Sequence, residues 1–169
     1  MRTLGSARTF SRIAAAGLVI AGLTSAAEAA DATASLTVAA SVANNCTIAT
    51  TQLSFGAYDP VGTNATADAT GSGQVLIACT KGASATIALG NGGGSDANSR
   101  RLASGSNFLP YQLYRSDGST VWGSGAGGWV TYNSLSKAQQ TMAVQGKIAA
   151  GADVPAGTYA DTIVATVNF

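Results

Sequence analysis

Apolar residues recur at every second position in one run of this chain after another, and that spacing limits the fold more than any other feature. In the last run, YADTIVATVNF, Tyr159, Ile163, Ala165, Val167 and Phe169 fall on one face. Ala160, Thr162, Val164, Thr166 and Asn168 fall on the other. This is the alternation of a half-buried strand. No turn follows it, so the reading expects a sheet edge left open over a hydrophobic core, an arrangement that invites another strand to pair there.

The runs before it read the same way. QVLIACT (74–80) and SATIALG (84–90) are strand-like and joined through Lys81-Gly82-Ala83, which predicts a hairpin. YQLYRSDGSTVW places a tight turn at Asp117-Gly118, and TMAVQGKI puts Met142, Val144 and Ile148 on one face. Val154-Pro155-Ala156-Gly157 turns the chain into the last run. Loops rich in glycine and asparagine separate these segments, and with 21 glycines and 10% charged residues in 169 the composition suits an all-β extracellular chain of one domain. Short strands at this spacing predict a sandwich or barrel. Tyr159, just after a turn, fits either the corner tyrosine of an immunoglobulin-like sandwich or a plain core aromatic.

The first residues read as an export signal. Arg2, Arg8 and Arg12 precede the apolar run from Ile13 to Leu23, and Ala27-Glu28-Ala29 supplies small residues for cleavage before Ala30. The run falls short of the roughly 20 residues that span a bilayer, so no membrane insertion is expected. Removing residues 1–29 leaves six basic and seven acidic residues, a nearly neutral surface. Basic residues do not cluster beyond it, Arg100-Arg101 being the one adjacent pair, so nucleic acid is not an expected partner. In an oxidising compartment the two cysteines, Cys46 and Cys79, are expected to form a structural disulfide. A redox or metal pair suits them poorly, because they lack C-x-x-C spacing and the chain contains no histidine.

The same lack of histidine removes Ser-His-Asp and Cys-His catalysis, and no G-x-S-x-G elbow or phosphate-binding loop is present. The chain is read as a non-enzyme without cofactor or metal. Asp96 and Asn98 resemble part of a calcium loop that no glutamate closes. Asn45-Cys46-Thr47 and Asn64-Ala65-Thr66 match the glycosylation acceptor. Trp122, Trp129 and Tyr132 flank a glycine-rich loop, where they serve either as sugar-stacking faces or as core; the core reading is favoured because Val121-Trp122 continues a hairpin strand.

One strand precedes the cysteines. In ATASLTVAASVANNC, Leu36, Val38, Ala40 and Val42 alternate with Ser35, Thr37, Ala39 and Ser41, and Asn44-Asn45 sets the run off from Cys46. An apolar strand near the start and an open edge at the end suggest strand donation between copies, the first strand of one filling the groove beside the last strand of the next. Part of the run also fits the domain's own first strand. The expected organisation is a signal peptide at 1–29, a donor segment and hinge at 30–45, and a β-sandwich at 46–169. The donor face is Leu36, Val38, Ala40 and Val42, and the acceptor edge is Ile163, Ala165, Val167 and Phe169.

LSFGAYDP (53–60), RRL (100–102), LPYQLYRSDG (109–118), VWG (121–123), PAGTYAD (155–161) and the terminal VNF together resemble the spore coat U domain family, which includes subunits of archaic chaperone–usher pili, over roughly 34–169. The resemblance implies an incomplete immunoglobulin-like sandwich completed by an N-terminal donor strand from a neighbouring subunit. It also implies delivery by a periplasmic chaperone to an outer-membrane usher, and a homopolymeric surface fibre used in attachment and biofilm formation. About 140 residues after the signal hold a single domain, which points to a shaft subunit rather than a two-domain tip adhesin. The alternatives are a spore or cell-coat protein of the same family and a monomeric secreted lectin-like sandwich.

Overall fold

The computed structural model describes residues 28–169. The expected signal sequence lies almost wholly outside them. Residues 28–39 and 40–169 belong to separate units. The first carries no helix or strand.

The second unit is all-β apart from one short 3-10 turn at Thr63–Ala65. Its strands are β1 (Cys46–Thr50), β2 (Ala69–Cys79), β3 (Ser84–Leu89), β4 (Arg101–Ser104), β5 (Asn107–Pro110), β6 (Gln112–Tyr114), β7 (Val130–Asn133), β8 (Gln140–Ile148) and β9 (Ala165–Asn168). One sheet runs β1-β2-β8-β6, a second β7-β3-β9, and β4 and β5 form a separate hairpin; all pairings are antiparallel. The period-two pattern explains the core. Val75, Ile77 and Cys79 of β2, Ala85, Ile87 and Leu89 of β3, and Val144 and Ile148 of β8 are buried, while their neighbours along each strand are more exposed. Trp122 fills the space between the sheets, its Nε1 donating to Ile87 O at 2.9 Å.

The expected hairpin between 74–80 and 84–90 does not form. Both edges of β2 are taken, by β1 and β8, so after Lys81 the chain crosses to the other sheet as β3. Gly82, at φ 86°, makes the bend, and its N–H bonds Ser134 O at 2.8 Å. A short glycine turn dictates reversal, not the sheet to which the next strand belongs. The Asp117-Gly118 turn is a hairpin as read, with Trp122 N donating to Leu113 O at 3.0 Å and Gly118 at φ 66°.

Cys46 and Cys79 are bonded. They face each other at the first rung of the β1–β2 ladder. Asn64 is no sugar acceptor in this fold, because it is buried with Oδ1 accepting from Asp59 N and Nδ2 donating to Ala67 O. Trp129 is 39% exposed, so the core reading holds for Trp122 and Tyr132 only.

Candidate assembly groove

Each large sheet ends, on the same side of the sandwich, in a strand with one unpaired edge: β1 in the first and β9 in the second. Between them opens a groove of about 890 Å³, floored by core side chains including Leu89, Leu102, Leu109, Leu113, Val144 and Ile148. Its walls are two segments outside any strand ladder over most of their length, residues 51–58 and 154–163.

The first wall forms because β1 leaves its partner. Thr51 makes the last bonds, its N–H to Gln74 O and its Oγ1 accepting from Gln74 N, both at 2.9 Å. Beyond it the inward positions of the neighbouring strands are glycines: Gly71 and Gly73 on β2, and Gly146, the register partner of Gly71, on β8. Leu53 and Phe55 lie on this bare floor. A Cβ on Gly71 would come within 2.5 Å of Ser54 O, and one on Gly146 within 2.9 Å of the Phe55 ring. Phe55 meets Tyr111 edge-on at 5.9 Å. Tyr58 pins the far end, its hydroxyl donating to Ala149 O at 2.7 Å and accepting from Ala152 N at 2.9 Å.

The second wall is built by the approach to β9. Tyr159 is the corner tyrosine, its hydroxyl donating to Pro155 O at 2.9 Å. Ala160 bridges Ala103 of β4. Tyr159, Asp161, Ile163, Ala165 and Val167 all point inward and are half-buried, with no strand covering them from outside. Asp161 supplies the polar spot on this face: Oδ2 accepts from Tyr111 Oη at 2.7 Å, and Oδ1 from Gly93 N at 3.0 Å. Burial, reinforced by that carboxylate, pushes the Tyr111 phenol well above its usual range. Behind the floor Arg100, 1% exposed, donates to Leu89 O, Gly90 O and Trp122 O at 2.7–3.0 Å and to Gln112 Oε1 at 3.2 Å. Burial draws its pKa below the usual arginine value, and the four acceptors tie the end of β3 to the β6 hairpin.

Of the expected acceptor residues, Ile163 and Ala165 line the groove, Val167 continues their face along β9, and Phe169 is 55% exposed beyond it. The expected donor residues Leu36, Val38, Ala40 and Val42 are exposed, at 88%, 85% and 85% for Leu36, Val38 and Val42, and no ladder includes them. The glycine floor, the Leu53–Tyr58 wall, the Asp161–Tyr111 bond and the Arg100 anchor were not read from the sequence as parts of a site. The one available signal was the glycines at strand-interior positions of 69–79 and 140–148, where a close approach is the usual reason for glycine.

The chain matches the Spore Coat Protein U domain over residues 32–166. It belongs to that family. This spore coat U domain is 37% identical over 158 residues to Protein U of Myxococcus xanthus, covering 85% of this chain and 88% of the relative. Its fold is similar, with TM-score 0.56 and 25% identity, to a chain in the chaperone–tip adhesion subunit pre-assembly complex from the archaic chaperone–usher Csu pili of Acinetobacter baumannii. The similarity covers 76% of this chain and only 40% of that one. The sandwich thus resembles the immunoglobulin-like fold of that Csu pilus subunit, as expected.

Among the described residues no three metal-ligating side chains gather, and no helix is long and apolar enough to cross a membrane. The chemistry the groove offers is the burial of alternate apolar side chains together with backbone hydrogen bonds along an open edge.

Proposed function

We propose that this chain is a structural, non-enzymatic subunit, of shaft type, of an archaic chaperone–usher pilus. Residues 34–42 of one copy fill the groove of the next, with Leu36, Val38, Ala40 and Val42 facing the core and the edge from Ile163 to Phe169 pairing with the donated backbone. A periplasmic chaperone and an outer-membrane usher are the partners in export, and the fibre serves attachment and biofilm formation at the cell surface. The observation that carries this reading is the groove itself, floored by apolar core side chains and bounded by two sheet edges that lack a partner. Each buried leucine or valine contributes about 1.5–3 kcal/mol, and each edge hydrogen bond about 0.5–1.5 kcal/mol, before ordering costs.

Leu36→Lys or Val38→Lys places a charge in that groove and is expected to abolish polymer in electron micrographs and in heat-sensitive ladders on gels. A second copy of residues 34–42 appended after Phe169 is expected to give a stable monomer. Fibres formed by the lysine variants, or by a chain trimmed to Asn44, would overturn the reading. A coat assembly built by the same exchange is a second reading, supported by the match to the Spore Coat Protein U domain. Micrographs separate the two, as thin fibres on cells or as a layer on the cell or spore surface.

A further inference from the structure

The root of the N-terminal segment is held by one residue, Thr80, through its backbone N–H and its hydroxyl. Past Cys46 the β1 line continues by one pair: Thr80 N donates to Asn45 O at 2.9 Å, and Asn45 N donates to Thr80 Oγ1 at 3.1 Å. The same hydroxyl has two carbonyls in reach for its proton, Ala43 O at 3.3 Å and Asn45 O at 3.4 Å. Ala43, Asn44 and Asn45 are the only residues between Val42 and Cys46, and the disulfide locks Cys46 to β2.

Those three residues decide which groove the segment can reach. β1 is the last strand of its sheet, and Thr50 at its end lines the groove, so β1's free edge is where residues 34–42 of the same chain would have to fold back. That requires a reversal between Val42 and Cys46. With Asn45 held extended against Thr80, only a two-residue turn at Ala43-Asn44 remains. Two-residue hairpin turns need positive φ at their first central residue, which the Cβ of Ala43 opposes. Released from Thr80, Asn45 joins a three-residue turn with Asn44, and asparagine accepts left-handed conformations readily.

We propose that Thr80 is a clasp against self-closure: it keeps the N-terminal segment from filling its own chain's groove and so leaves it to a second copy. This rests on the strand-donation reading above. Ala43 is the second part of the device, since a glycine there would permit the tight turn even with the clasp in place.

The test refolds the exported chain, dilute and without chaperone, and measures by size exclusion the fraction that becomes a trypsin-resistant monomer. Thr80→Val removes the hydroxyl at nearly constant shape, Thr80→Ser retains it, and Ala43→Gly relaxes the turn. Thr80→Val and Ala43→Gly are expected to raise the self-closed fraction about five- to tenfold, the equivalent of one or two hydrogen bonds, with Thr80→Ser unchanged from wild type. Identical partition in wild type, Thr80→Val and Ala43→Gly would overturn the clasp. A synthetic peptide of residues 34–42, in excess over the wild-type chain, separates the two levels. If it caps chains as monomers, strand donation stands whatever the Thr80 variants do. If it fails to cap them, strand donation falls and the clasp falls with it.

Discussion

Arg100 shows how one side chain can organise several elements. Its guanidinium meets three backbone carbonyls, those of Leu89 and Gly90 at the end of β3 and that of Trp122, and it is buried with no carboxylate bonded to it. Arg100→Met leaves those acceptors buried and without this donor, and is expected to lower unfolding free energy by about 3 kcal/mol or more, read as a shifted urea midpoint. Arg100→Lys should recover only part of the loss, since an ammonium cannot reproduce the planar fork. Two surface carboxylates add to the acid sensitivity. The N–H groups of Thr120 and Ser119 hold Asp117 well below the usual carboxylate range, and Lys147 at 2.7 Å with Ala150 N lowers the pKa of Asp68. Because both folded pKa values are depressed, their contribution is complete above about pH 4, the unfolded value, and is lost as pH falls toward the folded ones. The double variant Asp68→Asn/Asp117→Asn is therefore expected to show a flatter decline in melting temperature between about pH 4 and pH 2 than wild type.

Among the elements, the 51–58 wall depends on three glycines it does not contain. Gly71→Ala drives a methyl against the Ser54 carbonyl, and Gly146→Ala drives one against Phe55 and Leu53. Each is expected to cost about 1–3 kcal/mol and to free the wall, seen as faster hydrogen exchange over 51–58 than over β2. The strands themselves were legible, because alternation such as Val75-Ile77-Cys79 or Met142-Val144-Ile148 specifies which face is inward. Their partners were not. Lys81-Gly82-Ala83 signals a bend, but the choice of sheet depends on β1 and β8 occupying both edges of β2, which is a long-range fact. In the same way the 159–169 pattern marked the groove-facing side at Ile163 and Ala165. That only Ala165–Asn168 joins a ladder follows from the length of β3 opposite it. The burial of Arg100 was not legible, since nothing local announces carbonyls converging from β3 and Trp122.

For the whole molecule, the disulfide closes a sequence separation of 33 residues. The chain-entropy model gives that closure about 3–4 kcal/mol, so reduction is expected to lower stability by this order in a denaturant titration with and without reductant. Its position adds a mechanical consequence. When load is applied through the N-terminal root at Asn45, the ladder of β1 on β2 is peeled from its Cys46 end, and the first rung to be met is covalent. Peeling cannot begin there, and the residues between Cys46 and Cys79 remain sheltered from extension even after the rest of the sandwich has come apart. In single-molecule pulling, reduction should therefore lengthen the unfolding step by about 110–120 Å, the extended span of those 33 residues. A crossbar at the point of traction turns a five-residue edge strand into the least extensible part of the subunit.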